Sequence, residues 1–199
     1  PSYFKIASLD ILIECLQEIC SAAPQLPFYY YHIPALTGAH FDMLEFLKKA
    51  PAHLPSLTGI KFSDPDPGKF LQCKLFQDEK YDILWGCDQH LLAAMAVGAE
   101  GAIGSTYNFM PKIYLEIMSS YERGDKKKAQ LLMKQACDYI DILGDFGPIQ
   151  ASMKALMRIL GYPVGQHRLP QAATSTEQQR RIKKALDKAG FFEWSIKPP

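Results

Sequence analysis

The sequence predicts an α/β fold in which short parallel strands alternate with helices. Two observations lead to this prediction. Four strand-like runs, ending near residues 31, 62, 85 and 104, are separated by segments whose apolar residues recur at helical spacing. Strands joined through helices run parallel, because the crossover returns the chain to the same end of the sheet. With 48% hydrophobic and 22% charged residues among 199, the chain has the composition of a globular protein.

The first predicted elements are a helix and an aromatic strand. Apolar residues from Leu9 to Ile19 follow helical spacing after Ser8, a residue type favoured at helix N-caps. Pro24 and Pro27 end this helix. The segment 28–31 is aromatic and lies between prolines, so we predict the first strand there.

Three further strands follow the same pattern, at 57–62, 81–85 and 101–104, with helices expected at 41–49, 69–76 and 88–97. The rest of the chain is predicted to be helical. Its last helix is expected to begin at Ser175, with a capping box completed by Gln178, and to end at Gly190. Two architectures stay open on these residues alone: a small open sheet, or the second half of a (β/α)8 barrel, which typically needs about 250 residues.

Composition and charge do not predict binding to nucleic acid, insertion into a membrane or binding of a metal ion. A net charge of +1 does not favour binding to nucleic acid or to an anionic membrane. The longest apolar run, 91–97, is too short to cross a bilayer, and the first residues do not resemble a secretory signal. Five cysteines without a CxxC pair are expected to be small buried side chains in a reducing compartment, Cys15, Cys20 and Cys137 among them. We therefore expect a cytoplasmic protein, and the histidine spacing predicts no metal site.

Candidate functional residues follow the four predicted strands, because active sites of parallel α/β folds lie at the carboxyl ends of the strands. In chain order these residues are Tyr31 and His32; Lys61, Ser63 and Asp64; Gly86, Asp88 and Gln89; and Gly104, Ser105 and Thr106. A lysine, a tyrosine, small hydroxyl groups and glycines together suit covalent chemistry on a carbonyl group.

Lys61 carries the most information in this set. It lies inside a predicted strand between Ile60 and Phe62, where a lysine is unusual. Loss of solvent favours the neutral amine, which attacks a ketone and forms an iminium that draws electrons from a neighbouring C–C bond. The spacing alone favours a structural explanation, either a snorkelling lysine or an ion pair.

Two further candidates also have structural alternatives. Tyr31 suits a general acid/base role, because a phenol shuttles protons, but an aromatic residue in the core fits the same pattern. Asp88 precedes a predicted helix, where it is either an N-cap or a ligand group. The glycines at 101–104 do not follow GxGxxG spacing, so they do not predict dinucleotide binding.

Four segments resemble a known family. YYYHIPALTG (29–38), GIKFSD (59–64), WGCDQ (85–89) and GAEGAIGSTYN (98–108) are similar, in order and separation, to the N-acetylneuraminate lyases of the dihydrodipicolinate synthase-like class I aldolases. The likeness extends to about residue 169. It implies the (β/α)8 TIM-barrel family, with residues 1–110 as the second half of a barrel and 111–199 as C-terminal helices. The first four βα units would then be lacking.

The same resemblance implies an activity and its residues. The activity is aldol cleavage of N-acetylneuraminate, a sialic acid, to N-acetylmannosamine and pyruvate, with no metal or organic cofactor. Lys61 would form the Schiff base and Tyr31 would be the catalytic tyrosine. Substrate-binding residues would be Ser63, Gly86, Asp88, Gln89, Gly104 and Ser105. The resemblance also implies a homotetramer, in which Tyr3 reaches a neighbouring subunit's site.

The sequence departs from the family at several points. Residues 35–37 contain no arginine, which favours a neutral polyol over an acidic aldehyde, and Gln89 stands where the lyases usually have Glu. There is no GTTGE-like segment to hold the pyruvate carboxylate, so we expect the chain by itself to be inactive or prone to aggregation. The alternatives are a related class I aldolase acting on another 2-oxo acid, and a non-catalytic partial barrel that binds a partner or a full-length relative.

Overall fold

A computed structural model of the chain describes residues 4–197. These residues form two compact units, one ending at Gly104 and the other beginning at Ser105. The division of the chain into a half barrel over 1–110 and helices over 111–199 stays a prediction. Tyr3 lies outside the described residues.

The first unit alternates strands and helices as predicted. In chain order its elements are α1 (Leu9–Ser21), β1 (Phe28–His32), α2 (Pro34–Thr37), α3 (Met43–Lys49), β2 (Leu57–Phe62), α4 (Pro67–Lys74), β3 (Asp82–Trp85) and α5 (Leu91–Ala96). Side-chain caps explain three of the helix starts, because Ser8, Asp42 and Asp66 accept hydrogen bonds from the first backbone N–H groups of α1, α3 and α4. The short helix α2, begun by a proline, was not predicted.

The three strands form one parallel sheet in the order β1-β2-β3. The register pairs Tyr31 with Lys61 and Lys61 with Leu84. The predicted strand over 101–104 is shorter than expected, since only Ala102 forms a bridge, to Trp85. Hydrogen bonds flank this bridge on either side, from Trp85 N–H to the Gly101 carbonyl and from Ile103 N–H to the Trp85 carbonyl. Within the first unit, this segment therefore pairs with β3 only, and only at the residue pair Ala102 and Trp85.

The two faces of the sheet have different environments. Alternate residues on one face are buried beneath aromatic side chains of α3 and α4: Phe46 contacts Tyr30 with ring centroids 5.0 Å apart, and Phe70 contacts Trp85 at 5.3 Å. The opposite face carries Tyr31, which is 46% exposed, and the half-buried Lys61. Because side chains alternate along a strand, the face that bears Lys61 lies opposite the helix-covered core.

The second unit is helical, as predicted. It contains α6 (Pro111–Glu122), α7 (Lys126–Gly144), α8 (Ile149–Ile159) and α9 (Thr176–Lys188). Phe191 lies at the centre of its core, where its ring meets Tyr139 edge-on at 5.3 Å. The predicted capping box is confirmed, because Ser175 and Gln178 exchange side-chain hydrogen bonds with each other's backbone N–H groups.

The cysteine environments correct one expectation. Cys73 is buried, but Cys15 is exposed, and Cys20 and Cys137 are only half-buried. The helical spacing placed all three on apolar stripes, and each of them lies at the solvent edge of its stripe rather than in the core.

Candidate active site

Lys61 and Tyr31 lie side by side near the carboxyl ends of β2 and β1. They are register partners, so their side chains project from the same face of the sheet. Lys61 Nζ lies 3.9 Å from the centroid of the Tyr31 ring. This is a cation–π contact, in which the electron-rich ring face attracts a positive charge on the nitrogen. The sequence-predicted pair is therefore brought together.

Ser63 and Gly86 join the ends of three strands. Ser63 N–H donates to the His32 carbonyl at 2.8 Å, and Ser63 Oγ donates to the Gly86 carbonyl at 3.2 Å. Gly86 N–H in turn donates to the Phe62 carbonyl at 2.7 Å. A Cβ atom at position 86 would lie 2.0 Å from Ser63 Oγ, so only glycine allows this approach. The chain directly after Lys61 is thus held on both sides.

Asp88 lies against the backbone of Gly104. A Cβ atom at position 104 would lie 1.8 Å from Asp88 Oδ1, which shows how closely the carboxylate approaches the main chain. The absence of a side chain at Gly104 therefore makes room for Asp88. Gln89 is exposed in the 3₁₀ turn Asp88–His90, which immediately precedes α5.

Ser105 is the first residue of the second unit. Its carbonyl accepts a hydrogen bond from the side-chain amide of Asn108 at 2.9 Å. Its predicted role in binding substrate stays a prediction, as do the binding roles of the other candidates.

Cys87 is a neighbour of the candidate site that the sequence did not single out. Burial, together with the Asp88 and Asp64 carboxylates and against the opposing effect of Lys61, raises the pKa of its thiol to about 11. The thiol is therefore protonated at neutral pH, and Lys61, Asp64 and Asp88 all lie within electrostatic range of it. Its position in WGCDQ was visible in the sequence, but its electrostatic environment was not.

His32 lies on the other side of the sheet. It was considered together with Tyr31 because both end the first strand, but the alternation of side chains turns its ring towards the helix-covered face. Its ring centroid is 5.3 Å from that of Phe62. His32 therefore lies outside the group of side chains that surrounds Lys61.

Residues 4–197 show neither a metal-binding cluster nor a candidate membrane span. They contain no cluster of three or more His, Cys, Asp or Glu side chains arranged to hold a metal ion. Over the same residues, none of the helices combines the length and apolarity that a bilayer crossing requires.

Comparison with known proteins supplies the family. The Dihydrodipicolinate synthetase family model matches residues 1–189. N-acetylneuraminate lyase A of Xenopus laevis is 42% identical over 171 residues, which are 85% of this chain and 56% of that protein. The structure of Proteus mirabilis N-acetylneuraminate lyase superposes with a TM-score of 0.89 at 34% identity, over 96% of this chain and 64% of that one. A catalytic lysine mutant of the Ruminococcus gnavus sialic acid aldolase gives a TM-score of 0.83 at 26% identity, over 97% and 63%.

The parallel strands, the lysine near a strand end and these superpositions define an α/β protein of the TIM-barrel class. The chain belongs to the dihydrodipicolinate synthetase family. It spans 56% of the length of the Xenopus laevis relative and 64% of the Proteus mirabilis chain. Whether the first four βα units of a barrel are lacking stays a prediction.

Proposed function

We propose that the protein cleaves N-acetylneuraminate to N-acetylmannosamine and pyruvate through a Schiff base on Lys61. The observation that carries the proposal is the contact between Lys61 Nζ and the Tyr31 ring, at 3.9 Å on the open face of the sheet. The similarity to N-acetylneuraminate lyases, and to the Ruminococcus gnavus sialic acid aldolase with its catalytic lysine, supports it.

The proposed reaction begins with the neutral amine of Lys61. It attacks the C2 ketone of the open-chain sugar, and the Tyr31 phenol gives its proton to the hydroxyl group of the adduct. That hydroxyl group departs as water, which leaves an iminium and the Tyr31 phenolate. Tyr31 accepts the proton of the C4 hydroxyl while the C3–C4 bond breaks, and its electron pair moves into the iminium to form an enamine. The aldehyde product, N-acetylmannosamine, departs.

The second half of the reaction restores the protein. The proton that Tyr31 took from the C4 hydroxyl is returned to C3 of the enamine, which becomes an iminium again. Water then hydrolyses this iminium to give pyruvate and the free amine of Lys61, and the Tyr31 phenolate takes up the proton that this step releases. We propose that no metal or organic cofactor takes part, because the iminium itself draws the electron pair out of the breaking bond.

The face of the Tyr31 ring has a separate role in this proposal. The iminium nitrogen carries a positive charge at the position that Lys61 Nζ occupies, against the ring. The ring quadrupole therefore stabilises the intermediate, by about 0.5–1 kcal/mol for a partly exposed pair. The phenol group and the ring face would act in different steps.

A related aldolase acting on another 2-oxo acid is the second candidate. Gln89 favours it, because an amide keeps hydrogen-bonding ability but lacks the charge of the Glu usual in the lyases. Rates of pyruvate release from N-acetylneuraminate and from 4-hydroxy-2-oxoglutarate separate the two candidates.

Borohydride trapping tests the Schiff base. Incubation with pyruvate and borohydride is expected to give a reduced pyruvyl adduct at Lys61, located by peptide mass spectrometry, and Lys61→Met is expected to abolish it. Lys49→Met is the matched control, since Lys49 is an exposed lysine paired with Asp10 at 2.8 Å. An unmodified Lys61 in the wild-type protein would contradict the proposal.

A further inference from the structure

His32 is a buried histidine behind the candidate site. It is only 2% exposed, although it carries two polar ring nitrogens. Its Nδ1 atom is buried and makes no hydrogen bond within the described residues, while Nε2 lies 3.9 Å from Asp64 Oδ2. A buried polar group without a partner lowers stability, so its retention calls for a physical explanation.

The backbone of His32 also contacts the chain that follows β2. Its carbonyl accepts the Ser63 N–H hydrogen bond at 2.8 Å. His32 therefore faces two consecutive residues of this turn: its carbonyl accepts the hydrogen bond from Ser63, and its ring lies near the Asp64 carboxylate. Both of these residues follow Lys61 directly in the chain, at the second and third positions.

Asp64 extends the connection to a helix. Its side chain is 21% exposed, and Lys69 Nζ of α4 lies 3.6 Å from Oδ2. These groups border a cavity of about 210 Å³, whose lining residues are His32, His40, Phe41, Asp42, Asp64 and Lys69. The cavity is polar and large enough for ordered water, and a separation of 3.9 Å is too long for a direct hydrogen bond but can be bridged by water.

The protonation state of His32 determines which of its ring nitrogens donates a hydrogen bond and which accepts one. Its pKa is lowered to about 4, mainly by burial; the Asp64 carboxylate opposes this shift, and Lys69 and His40 add to it. The ring is therefore neutral at neutral pH and carries one N–H. When the hydrogen is on Nε2, the N–H group faces the Asp64 carboxylate.

We propose that His32 is a positioning residue: through Nε2–H and Asp64 on one side, and its carbonyl and Ser63 on the other, it holds the turn 63–66 and thereby the alignment of Lys61 with Tyr31. The inference rests on the proposed function, because the alignment matters for the Schiff-base reaction. It assigns a role to a residue that does not lie on the Lys61 face of the sheet. A small misplacement of a nucleophile can cost up to about 100-fold in rate.

Three substitutions at one position separate this role from simple filling of the core. His32→Gln places an amide N–H near the position of Nε2, His32→Asn places its polar atoms nearer that of Nδ1, and His32→Leu fills volume without a donor. Relative to wild type, we expect His32→Gln to keep kcat within about threefold, and His32→Asn and His32→Leu to lower it by about tenfold or more. KM is expected to change little, because substrate contacts are made by other residues.

The control is Lys49→Ala, which removes the exposed Asp10–Lys49 ion pair outside the strand ends and is expected to leave kcat unchanged. Circular dichroism confirms that each variant is folded at the assay temperature. A His32→Leu variant with wild-type kcat would overturn the inference. Equal losses in His32→Gln and His32→Asn would also overturn it, because they would show that the Nε2 position has no special importance.

Hydrogen exchange distinguishes failure of this inference from failure of the proposed function. If the wild-type protein forms no borohydride adduct with pyruvate, the proposed function fails, but the exchange rate of the Ser63 amide still reports on the turn. We expect this amide to exchange faster in His32→Leu than in wild type, and to remain protected in His32→Gln. An unchanged rate in His32→Leu would overturn the positioning role whether or not the protein is an aldolase.

Discussion

The ammonium group of Lys61 lies over the face of the Tyr31 ring, so two parts of the same tyrosine side chain are available to the reaction. In the proposed reaction, the ring face stabilises positive charge on the nitrogen and the phenol exchanges protons. The sequence pointed to both residues, but it could not show that the ring, rather than the hydroxyl group alone, contacts the lysine. That contact depends on the register of β1 against β2.

Substitutions at Tyr31 are expected to separate these two contributions. Tyr31→Phe keeps the ring, so it should retain borohydride trapping with pyruvate while cleavage falls by about 10²–10⁴-fold. Tyr31→Leu loses the ring as well, and its trapping should slow by a further factor of about two to five. Tyr29→Phe is the control, because it removes a hydroxyl that donates to Asp82 at 2.7 Å. Equal trapping rates in Tyr31→Phe and Tyr31→Leu would contradict the role of the ring face.

His32 predicts a dependence of stability on pH. Its pKa in the folded protein, about 4, is below the ordinary value of 6.5, so the unfolded chain binds the proton more tightly. Stability from this residue is complete above pH 6.5 and is lost as pH falls towards 4, by about 2 kcal/mol at pH 5. Urea unfolding of the wild type and His32→Gln at pH 7.5 and 5 measures the difference. The variant should lose less stability between these two pH values, and equal losses would contradict the prediction.

At the scale of elements, Gly59 allows β1 and β3 to interact across β2. The Tyr29 hydroxyl donates to Asp82 Oδ2 at 2.7 Å, and the Tyr29 ring passes over Gly59. A Cβ atom at position 59 would lie 1.9 Å from the Asp82 carbonyl oxygen and 2.7 Å from Tyr29 Cε1. The close approach of the three strands next to Lys61 therefore requires a residue without a side chain at position 59.

Gly59→Ala is expected to destabilise the protein by about 1–3 kcal/mol, because the added methyl group collides with backbone atoms that cannot turn away. Gly144→Ala is the matched control. Nothing lies within 4 Å of a Cβ atom at position 144, near the end of α7, and alanine favours helix there. Chemical denaturation should show a loss for the first variant and no loss for the second; equal stability of both would show that the sheet adapts.

The strands illustrate what local patterns can predict. The strand at 57–62 was predicted at its observed bounds, because β-favouring residues end abruptly at a turn rich in Asp and Pro. The segment 101–104 has a similar appearance but forms only the bridge at Ala102. Strand length depends on how many neighbouring residues are available to pair, which is a property of the whole sheet. A local pattern therefore predicted the existence of this element but not its length.

At the scale of the whole molecule, the assembly is a prediction from the resemblance. We expect a homotetramer, which light scattering coupled to size-exclusion chromatography measures at several concentrations. Species that form only with a full-length relative, without pyruvate release, would instead favour the non-catalytic alternative. A monomer at all concentrations would contradict the homotetramer, and a monomer in the presence of the full-length relative would contradict the alternative.

The sequence by itself determined the α/β class and the family, and it predicted Lys61 and Tyr31 as the central pair of the candidate site. It could do so because strand and helix periodicity are local, and because the motifs around these residues are specific. The tertiary structure decided that His32 faces the core beside Asp64, that Cys87 lies within electrostatic range of Lys61, and that Asp88 lies against Gly104. These relations depend on the register between strands and on which face the helices cover, and neither is encoded in the spacing along one segment.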